Sequence, residues 1–307
     1  MSCTSPLLAV DYGLNPDTGK KRIKILPTAF RVDWDFERLK DRYGDSLIVL
    51  PCGKCDACVL ARRKMWSLRC YAESIYHDQN CFVTLTYDDE NCPSQLVKKD
   101  FQDFIRNLRK KGISCRYFGC GEYGSRGVTS HTPNGRPHYH VILFGFMPSD
   151  LKYFSKTNSG FPQYTSSFLS GVWKKGFVTI TEFTPEVAGY TAGYVDKKYK
   201  QKDCFILMSK KPGLGEQYFL DHHEQLYKND NIVTNFGSHV AAVPRYFDKL
   251  AEKIGLDISD LKESRLDAMN YQVFSAMREH NFSKFEEYCK FQEIINAERL
   301  NKKVRSL

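Results

Sequence analysis

The stretch that decides the fold is GRPHYHVILFG, which occupies positions 135–145. Its apolar and β-branched half predicts a strand over about 138–146. Successive side chains of a strand point to opposite faces, so His138 and His140 share one face while Tyr139 lies on the other. Two neighbouring imidazoles are a natural start for a divalent metal site, although two unrelated histidines on a polar sheet face are the simpler alternative.

Further strands and helices flank this stretch on both sides. Residues 115–122 predict a second strand, joined to the first by a long loop as an antiparallel pair. Residues 81–87 alternate like a half-buried strand, and residues 97–111 carry apolar residues at helical spacing. A strand over 177–180 precedes a helix expected over 184–200. This order predicts an α+β fold with a central, mainly antiparallel sheet flanked by helices.

Composition excludes several classes of protein. The chain has 307 residues, 42% hydrophobic and 14% aromatic, which is enough for a packed core and unlike a disordered chain. Its apolar runs fall short of the ~20 residues of a membrane span, and its start lacks a secretory pattern. We therefore expect an intracellular protein whose 11 cysteines are reduced thiols or metal ligands. The net charge of +9 is compatible with a nucleic-acid partner.

Glu122 is the candidate third ligand of a metal site. It ends the strand that is expected to pair with the histidine strand, so the register can place its carboxylate beside both imidazoles. Two histidines and one carboxylate suit a hard-to-borderline divalent ion and leave positions open for a substrate oxygen. His131 is a rival ligand in the intervening loop, and a surface glutamate in a hairpin is the alternative reading.

Two tyrosines supply a candidate nucleophile. Tyr190 and Tyr194 stand one turn apart on the predicted helix, and Lys197 and Lys198 continue that face. Aromatic pairs at this spacing also occur in ordinary core packing. Two glycines in the same helix weaken it by roughly 1 kcal/mol each, which close approach of a ligand would explain. A metal that polarises a phosphate and a lysine that stabilises phenolate would make such a tyrosine competent for phosphodiester chemistry.

A second candidate metal site is a cluster of three cysteines with the spacing Cys-x-x-Cys-x-x-Cys: Cys52, Cys55 and Cys58. Such spacing is common among zinc ligands, so Zn²⁺ is possible here. Cys70 lies about 18 Å further along a continuous helix and cannot complete the site. Cys3, Cys81 or a distant histidine would be needed, and reduced structural thiols are the alternative.

Several basic residues are candidates for DNA-phosphate contacts. Four of them follow the cysteine cluster on a predicted helix, and one stands beside the tyrosines: Arg62, Arg63, Lys64, Arg69 and Lys198. Phosphate contacts would appear as a steep salt dependence of binding. A solvated helix face explains the same pattern.

These motifs together resemble those of the HUH endonucleases, and more closely the replication initiators of microviruses, in particular the gokushovirus-like branch. The motifs that carry the resemblance occur in the family's order: positions 51–58, 82–87, 119–124, 138–140 and the paired tyrosines. The resemblance implies an RRM-like HUH nuclease core with a sheet of about five strands. It also implies a working Mg²⁺ or Mn²⁺ ion held by His138, His140 and Glu122.

The resemblance further implies the reaction. A tyrosine would nick single-stranded DNA at the viral origin, form a 5′-phosphotyrosyl intermediate and rejoin the strand during rolling-circle replication. Tyr194 is followed by Lys197 in the family's Tyr-x-x-Lys pattern, whereas Tyr190 has Gly193 at the equivalent place. Tyr194 is therefore expected as the main nucleophile and Tyr190 as the second. The expected setting is the host bacterial cytoplasm, with a host helicase or polymerase as partner and no membrane.

The sequence predicts three regions: an N-terminal elaboration with the cysteine cluster and basic helix over 1–78, the endonuclease core over 79–204, and a mostly helical part over 205–307. Two other functions remain open. A non-catalytic nucleic-acid-binding protein on a similar sheet would explain the basic helices but not the histidines and tyrosines. A mobilisation relaxase shares the chemistry but usually has its tyrosine ahead of its histidines.

Overall fold

The structure, a computed structural model, describes residues 3–18, 21–27, 32–124, 135–157, 160–184, 203–234, 239–283 and 285–305. The strands in these ranges are β1 Leu7–Leu14, β2 Lys21–Ile25, β3 Leu47–Leu50, β4 Asn80–Tyr87, β5 Arg116–Tyr123, β6 Pro137–Phe144, β7 Lys152–Lys156, β8 Pro162–Thr165, β9 Gly176–Glu182, β10 Phe205–Met208, β11 Ile232–Thr234 and β12 His239–Ala241. The helices are α1 Val32–Tyr43, α2 Asp56–Ser74, α3 Lys98–Lys110, α4 Ser167–Trp173, α5 Glu216–Asn229, α6 Arg245–Lys253, α7 Ser259–Glu279 and α8 Phe285–Arg305. Among these residues, no helix combines the length and apolar character needed to cross a bilayer.

The chain divides into two compact units. The first comprises Met1–Ala61 with Lys262–Arg305, and the second comprises Arg62–Leu261 with Ser306–Leu307. The first unit therefore joins segments from both halves of the chain. The boundaries at residues 78 and 204 that we inferred from the motifs stay a prediction.

The first unit contains a small antiparallel sheet in the order β2-β1-β3. Its central strand β1 pairs with both neighbours. The core that this sheet forms with α1 contains five buried leucine and valine side chains: Leu8, Val10, Leu26, Leu39 and Leu47. All five residues of β2 are exposed. This unit is therefore stabilised by only a modest amount of buried apolar surface.

The second unit is built on a seven-stranded sheet in the order β10-β5-β6-β4-β9-β8-β7. Each neighbouring pair runs antiparallel, and β6 lies between β5 and β4. The predicted α+β class with a mainly antiparallel sheet is therefore confirmed. The sheet has more strands than the five expected, since β10 extends one edge and the β7–β8 hairpin extends the other.

One face of this sheet packs against α3 and α4. The helix predicted over 97–111 is observed as α3, and its apolar stripe is buried: Phe101, Phe104, Ile105 and Leu108. Each such side chain contributes about 2 kcal/mol of stability by leaving water. Gly112 follows the helix with φ of +83°, a left-handed conformation that glycine adopts without strain.

The opposite face is apolar at one end and polar at the other. Ile142 and Phe144 of β6 pack there with Phe118 of β5, Cys70 of α2 and other buried residues. His140 and His138 continue the same face along β6, because residues two apart in a strand point the same way. The sequence HYHVILF therefore places an apolar anchor at one end of the strand and two imidazoles at the other.

Residues 201–244, which carried no clear pattern, contain β10, α5 and the β11–β12 hairpin. Only Phe219 and Leu226 of α5 are buried, seven residues apart. That is a narrow stripe, which explains why the apolar periodicity of this helix is weak in the sequence. The helical pattern expected after residue 245 is observed as α6, α7 and α8.

Candidate active site

The register between β5 and β6 determines where the candidate metal ligands lie. Glu122 stands directly opposite His138, and Cys120 stands opposite His140. Residues opposite each other in antiparallel strands project to the same face of the sheet. Glu122, His138 and His140 therefore share the polar end of the face described above.

The three side chains meet at a single carboxylate oxygen. The Nε2 atom of His138 lies 2.9 Å from Oε1 of Glu122, and the Nε2 atom of His140 lies 3.1 Å from the same oxygen. One nitrogen or oxygen from each residue lies within 4.8 Å of the other two. The rival ligand His131 lies outside the described residues.

The second nitrogen of each imidazole is held by a neighbouring group. The Nδ1 atom of His138 lies 3.1 Å from the carbonyl oxygen of Arg136. A carbonyl oxygen only accepts hydrogen bonds, so this Nδ1 carries a proton and the neutral ring directs its Nε2 lone pair at Glu122. The Nδ1 atom of His140 lies 3.0 Å from the hydroxyl of Thr84. Metal-binding histidines are usually oriented in this way.

Burial and charge make this cluster suited to a cation. Glu122 is only 2% exposed and His140 is 5% exposed. Burial raises the pKa of the Glu122 carboxyl, but hydrogen bonds and positive charge from His138 and His140 more than offset this and lower the pKa to about 2. A buried carboxylate needs a compensating positive charge. Two imidazole nitrogens and one carboxylate oxygen fit a divalent ion such as Mn²⁺ or Mg²⁺.

Close packing around the cluster explains the glycines in GCGEYG. A Cβ atom added at Gly119 would lie 2.7 Å from the carbonyl oxygen of His140 and 2.7 Å from the Phe101 ring. A Cβ atom at Gly121 would lie 2.8 Å from the Phe205 ring. Both positions therefore require the smallest side chain if the strands are to hold this register.

Sequence reasoning missed three contributors to the cluster. Thr84 lies opposite His140 in the β4–β6 register and binds its ring. Arg136 supplies its carbonyl to His138, and its guanidinium binds the carbonyl of Tyr87 and the carboxylate of Asp89. Phe82 stacks on His140 with ring centroids 5.3 Å apart. The alternation in β4 puts Phe82 and Thr84 on one face, but only the strand pairing shows that this face carries the histidines.

The candidate nucleophiles lie outside the described residues, as do the lysines beside them: Tyr190, Tyr194, Lys197 and Lys198. The ends of this segment are nevertheless placed. Glu182, at the end of β9, pairs with Cys81 at the far end of β4 from the histidines. The described chain resumes at residue 203, and Phe205 pairs with Gly121, the neighbour of Glu122. The segment that carries the tyrosines therefore ends next to the cluster.

The candidate phosphate-binding arginines and lysine differ in their surroundings. Arg69 donates a hydrogen bond to the carbonyl of Leu214, and its guanidinium lies over the rings of Trp66 and Tyr246, at 4.3 and 3.8 Å from their centroids. Burial lowers the pKa of this arginine. Arg69 thus has a packing role in the second unit. Lys64 is exposed, whereas Arg62 and Arg63 are half-buried.

The cysteine cluster acquires a fourth member from the start of the chain. The sulfur atoms of Cys3, Cys52, Cys55 and Cys58 lie within 4.8 Å of one another. Cys3 was one of the alternatives left open by the sequence. Cys70 and Cys81 are instead buried in the two cores that pack on the large sheet.

Comparison with known proteins identifies relatives of the chain. A family model that describes replication-associated proteins of the ORF2 type matches residues 80–199. This range contains the strands that form the cluster, together with the tyrosine segment. No solved structure matches the chain.

Three phage proteins are similar to most of the chain. The replication-associated protein ORF2 of Spiroplasma virus 4 is 35% identical over 70% of this chain and 72% of its own length. The replication-associated protein VP4 of Bdellovibrio phage phiMH2K is 34% identical over 66% of this chain and 67% of its own. For the replication-associated protein ORF4 of Chlamydia phage 1 the identity is 27%, over 80% of this chain and 63% of its own. The chain belongs to the family of replication-associated proteins of microviruses.

Proposed function

We propose that this protein initiates phage DNA replication by nicking single-stranded DNA at the viral origin, holding the new 5′ end on a tyrosine and later rejoining it. The observation that carries this proposal is the convergence of His138, His140 and Glu122 on one point of the sheet. A protein that only binds DNA has no need of a buried carboxylate between two oriented imidazoles.

The proposed ligands of Mg²⁺ or Mn²⁺ are His138, His140 and Glu122. Such an ion, when bound, acts as a Lewis acid on a phosphate oxygen. The contacts to Arg136 and Thr84 keep both Nε2 atoms directed at the carboxylate. These two groups are positioning groups, since they act through the histidines.

Tyr194 is the proposed main nucleophile. Its phenolic oxygen attacks the phosphorus atom at the origin, the bond from phosphorus to the 3′ oxygen breaks, and a 5′-phosphotyrosyl ester forms. The phenol loses its proton, and the departing 3′ oxygen takes one up to become a free hydroxyl. Lys197 is proposed to stabilise the phenolate, whose ordinary pKa is near 10.

The ester conserves the energy of the phosphodiester bond. Attack of a 3′-hydroxyl on the phosphotyrosine can therefore rejoin a strand without a nucleotide cofactor. A second tyrosine, proposed to be Tyr190, could cut while the first still holds an end. Support for this placement comes from the chain ends: the segment that carries both tyrosines leads into Phe205, which pairs beside Glu122.

DNA is the proposed macromolecular ligand, and the relatives are named for replication in phages. Arg62, Arg63, Lys64 and Lys198 are proposed to contact its phosphates. Arg69 is already engaged in packing, so we expect it to contribute less. Action in the host bacterial cytoplasm, beside a host helicase or polymerase, follows from the same proposal.

The test is covalent capture of DNA. Labelled single-stranded oligonucleotides that tile the phage genome are incubated with the full-length protein and Mn²⁺ or EDTA, and adducts that resist denaturing electrophoresis are digested for mass spectrometry. We expect one tile to react, only with the metal, and the Tyr194 peptide to carry the nucleotide. Tyr194→Phe and the double variant His138→Ala/His140→Ala should each lower adduct formation at least about 100-fold, or ~2.7 kcal/mol.

Tyr153→Phe is the matched control, because Tyr153 is an exposed tyrosine on the β7–β8 hairpin. It should react like the wild type. An adduct at the wild-type level in Tyr194→Phe would show that the nucleophile is another residue. Tight binding of one tile without any adduct would instead favour the non-catalytic binding protein.

A further inference from the structure

The first unit contains a cluster of cysteines that the proposed nicking reaction does not use. Cys3 precedes β1, Cys52 and Cys55 lie in the loop between β3 and α2, and Cys58 lies in the first turn of α2. All four are half-buried and carry free thiols. Each pair of their sulfur atoms lies within 4.8 Å.

The spacing of the sulfur atoms fits a tetrahedral metal site. Sγ of Cys3 and Sγ of Cys55 are 3.7 Å apart. A disulfide would require about 2.05 Å. Four thiolates placed about 2.3 Å from a central zinc ion would stand about 3.8 Å from one another along the edges of the tetrahedron. The observed separation therefore matches a shared ion rather than a covalent bond.

The backbone around the cluster is arranged to stabilise negative sulfur. The amide of Cys52 lies 3.2 Å from Sγ of Cys3, and the amides of Lys54 and Cys55 lie 3.4 and 3.3 Å from Sγ of Cys52. Gly53 permits this tight turn with φ of +74°. Outer hydrogen bonds of this kind orient the ligands of a metal and tune their charge.

The position of the last two cysteines adds a further favourable field. The carbonyl of Cys55 accepts a hydrogen bond from the amide of Val59 at 3.0 Å, so the first turn of α2 begins at this cysteine. The N-terminal end of a helix carries a partial positive charge, which favours thiolate over thiol.

The first unit also has a need for such a link. Its small sheet buries the five core residues Leu8, Val10, Leu26, Leu39 and Leu47, and β2 is exposed along its whole length. Small cores are commonly supplemented by a structural metal. An ion shared by Cys3 and Cys52 would join the start of β1 to the end of β3 across 49 positions of sequence.

We infer that Cys3, Cys52, Cys55 and Cys58 bind one structural Zn²⁺ ion. The four thiols lose their protons as the four sulfur–zinc bonds form, and no redox change is involved. Four protein ligands close the coordination sphere, so the site has no open position for a substrate. This ion is distinct from the ion proposed at His138 and stabilises the first unit.

Metal analysis of the full-length protein tests the inference. The protein is purified without chelators or a metal-affinity tag, and its metals are measured by mass spectrometry of the elements. We expect about one zinc per chain, retained in the double variant His138→Ala/His140→Ala, which removes the other candidate site. Cobalt substituted into the wild type should show the absorption of a tetrahedral site with four thiolates.

Variants locate the ion. Cys3→Ser should lose zinc to a competing chelator that leaves the wild type loaded, whereas Cys92→Ser, outside the cluster, should keep it. Removal of zinc from the wild type should speed amide hydrogen exchange in β1 and β3 while β4 and β6 stay protected. This last measurement needs no variant and so remains informative if Cys3→Ser fails to fold.

Three outcomes would overturn the inference. Zinc below about 0.2 equivalents in the wild type would contradict a structural site. Iron at one equivalent would assign the site to another metal. A mass lower by two hydrogens under non-reducing conditions, mapped to a pair of these cysteines, would show a disulfide instead.

Discussion

Thr84→Val tests whether the hydroxyl that faces His140 positions this residue for metal binding. Valine has nearly the shape of threonine, so the substitution removes the hydroxyl with little change in packing volume. The lost contact is the one between Thr84 Oγ1 and Nδ1 of His140, at 3.0 Å and next to a ring that is 5% exposed. A buried polar atom that loses its partner costs about 1–3 kcal/mol.

The expected magnitude follows from this contact. Substitution of a group that orients a metal-binding histidine typically weakens metal affinity or activity about 10- to 100-fold, which is ~1.4–2.8 kcal/mol. We expect the Mn²⁺ concentration that gives half-maximal adduct formation to rise by that factor. The plateau at saturating Mn²⁺ should stay near the wild-type level, because the three proposed ligands remain.

The assay is a Mn²⁺ titration of adduct formation on the reactive oligonucleotide. Thr86→Val is the matched control: Thr86 lies on the same strand and face, two residues along, and faces His138 in the register. The ring nitrogens of His138 contact Arg136 and Glu122 instead. Equal midpoints for Thr84→Val and the wild type, or equal shifts in both variants, would refute the positioning role.

Two further predictions concern the stability of the same sheet. Gly119→Ala should lower the free energy of unfolding by about 1–3 kcal/mol in urea, because its Cβ would press on His140 and Phe101, whereas Gly171→Ala, with open space around it in α4, should be neutral or stabilising by up to ~1 kcal/mol; equal effects would argue against the close approach of β5 and β6. The folded-state pKa of Glu122 is lowered from 4.5 to about 2, so its contribution is present above pH 4.5 and lost as the pH falls toward 2. In protein freed of metal, Glu122→Gln should therefore flatten the acid dependence of unfolding in that window by up to ~3 kcal/mol; an unchanged slope would contradict the shift.

The candidate site shows how far pattern reasoning extends. The shared face of His138 and His140 follows from the two-residue period of a strand alone. The pairing with Glu122 was accessible because β5 and β6 are consecutive strands, which commonly pair. Thr84 was not accessible, because β4 reaches β6 only across the helix α3 and the strand β5, and nothing local to its sequence specifies that neighbour.

The cysteine cluster gives a second example of the same limit. The ligand spacing at Cys52, Cys55 and Cys58 was visible, and so was the exclusion of Cys70 by helix geometry. The identity of Cys3 as the fourth member depends on the pairing of β1 with β3, which brings the start of the chain to the loop before α2. Closure across 49 positions leaves no local trace in the sequence.

The sequence by itself determined the class of fold, the strand that carries the two histidines and the amphipathic helix α3, because these depend on side-chain periodicity within a few residues. It also determined the family, through motifs in a recognisable order. Only the tertiary structure decided which strands are neighbours, and hence that Thr84 holds His140, that Cys3 joins the cysteines, and that Arg69 packs between two aromatic rings. Those contacts join residues far apart in the chain, and they arise from the packing of whole elements rather than from any local preference.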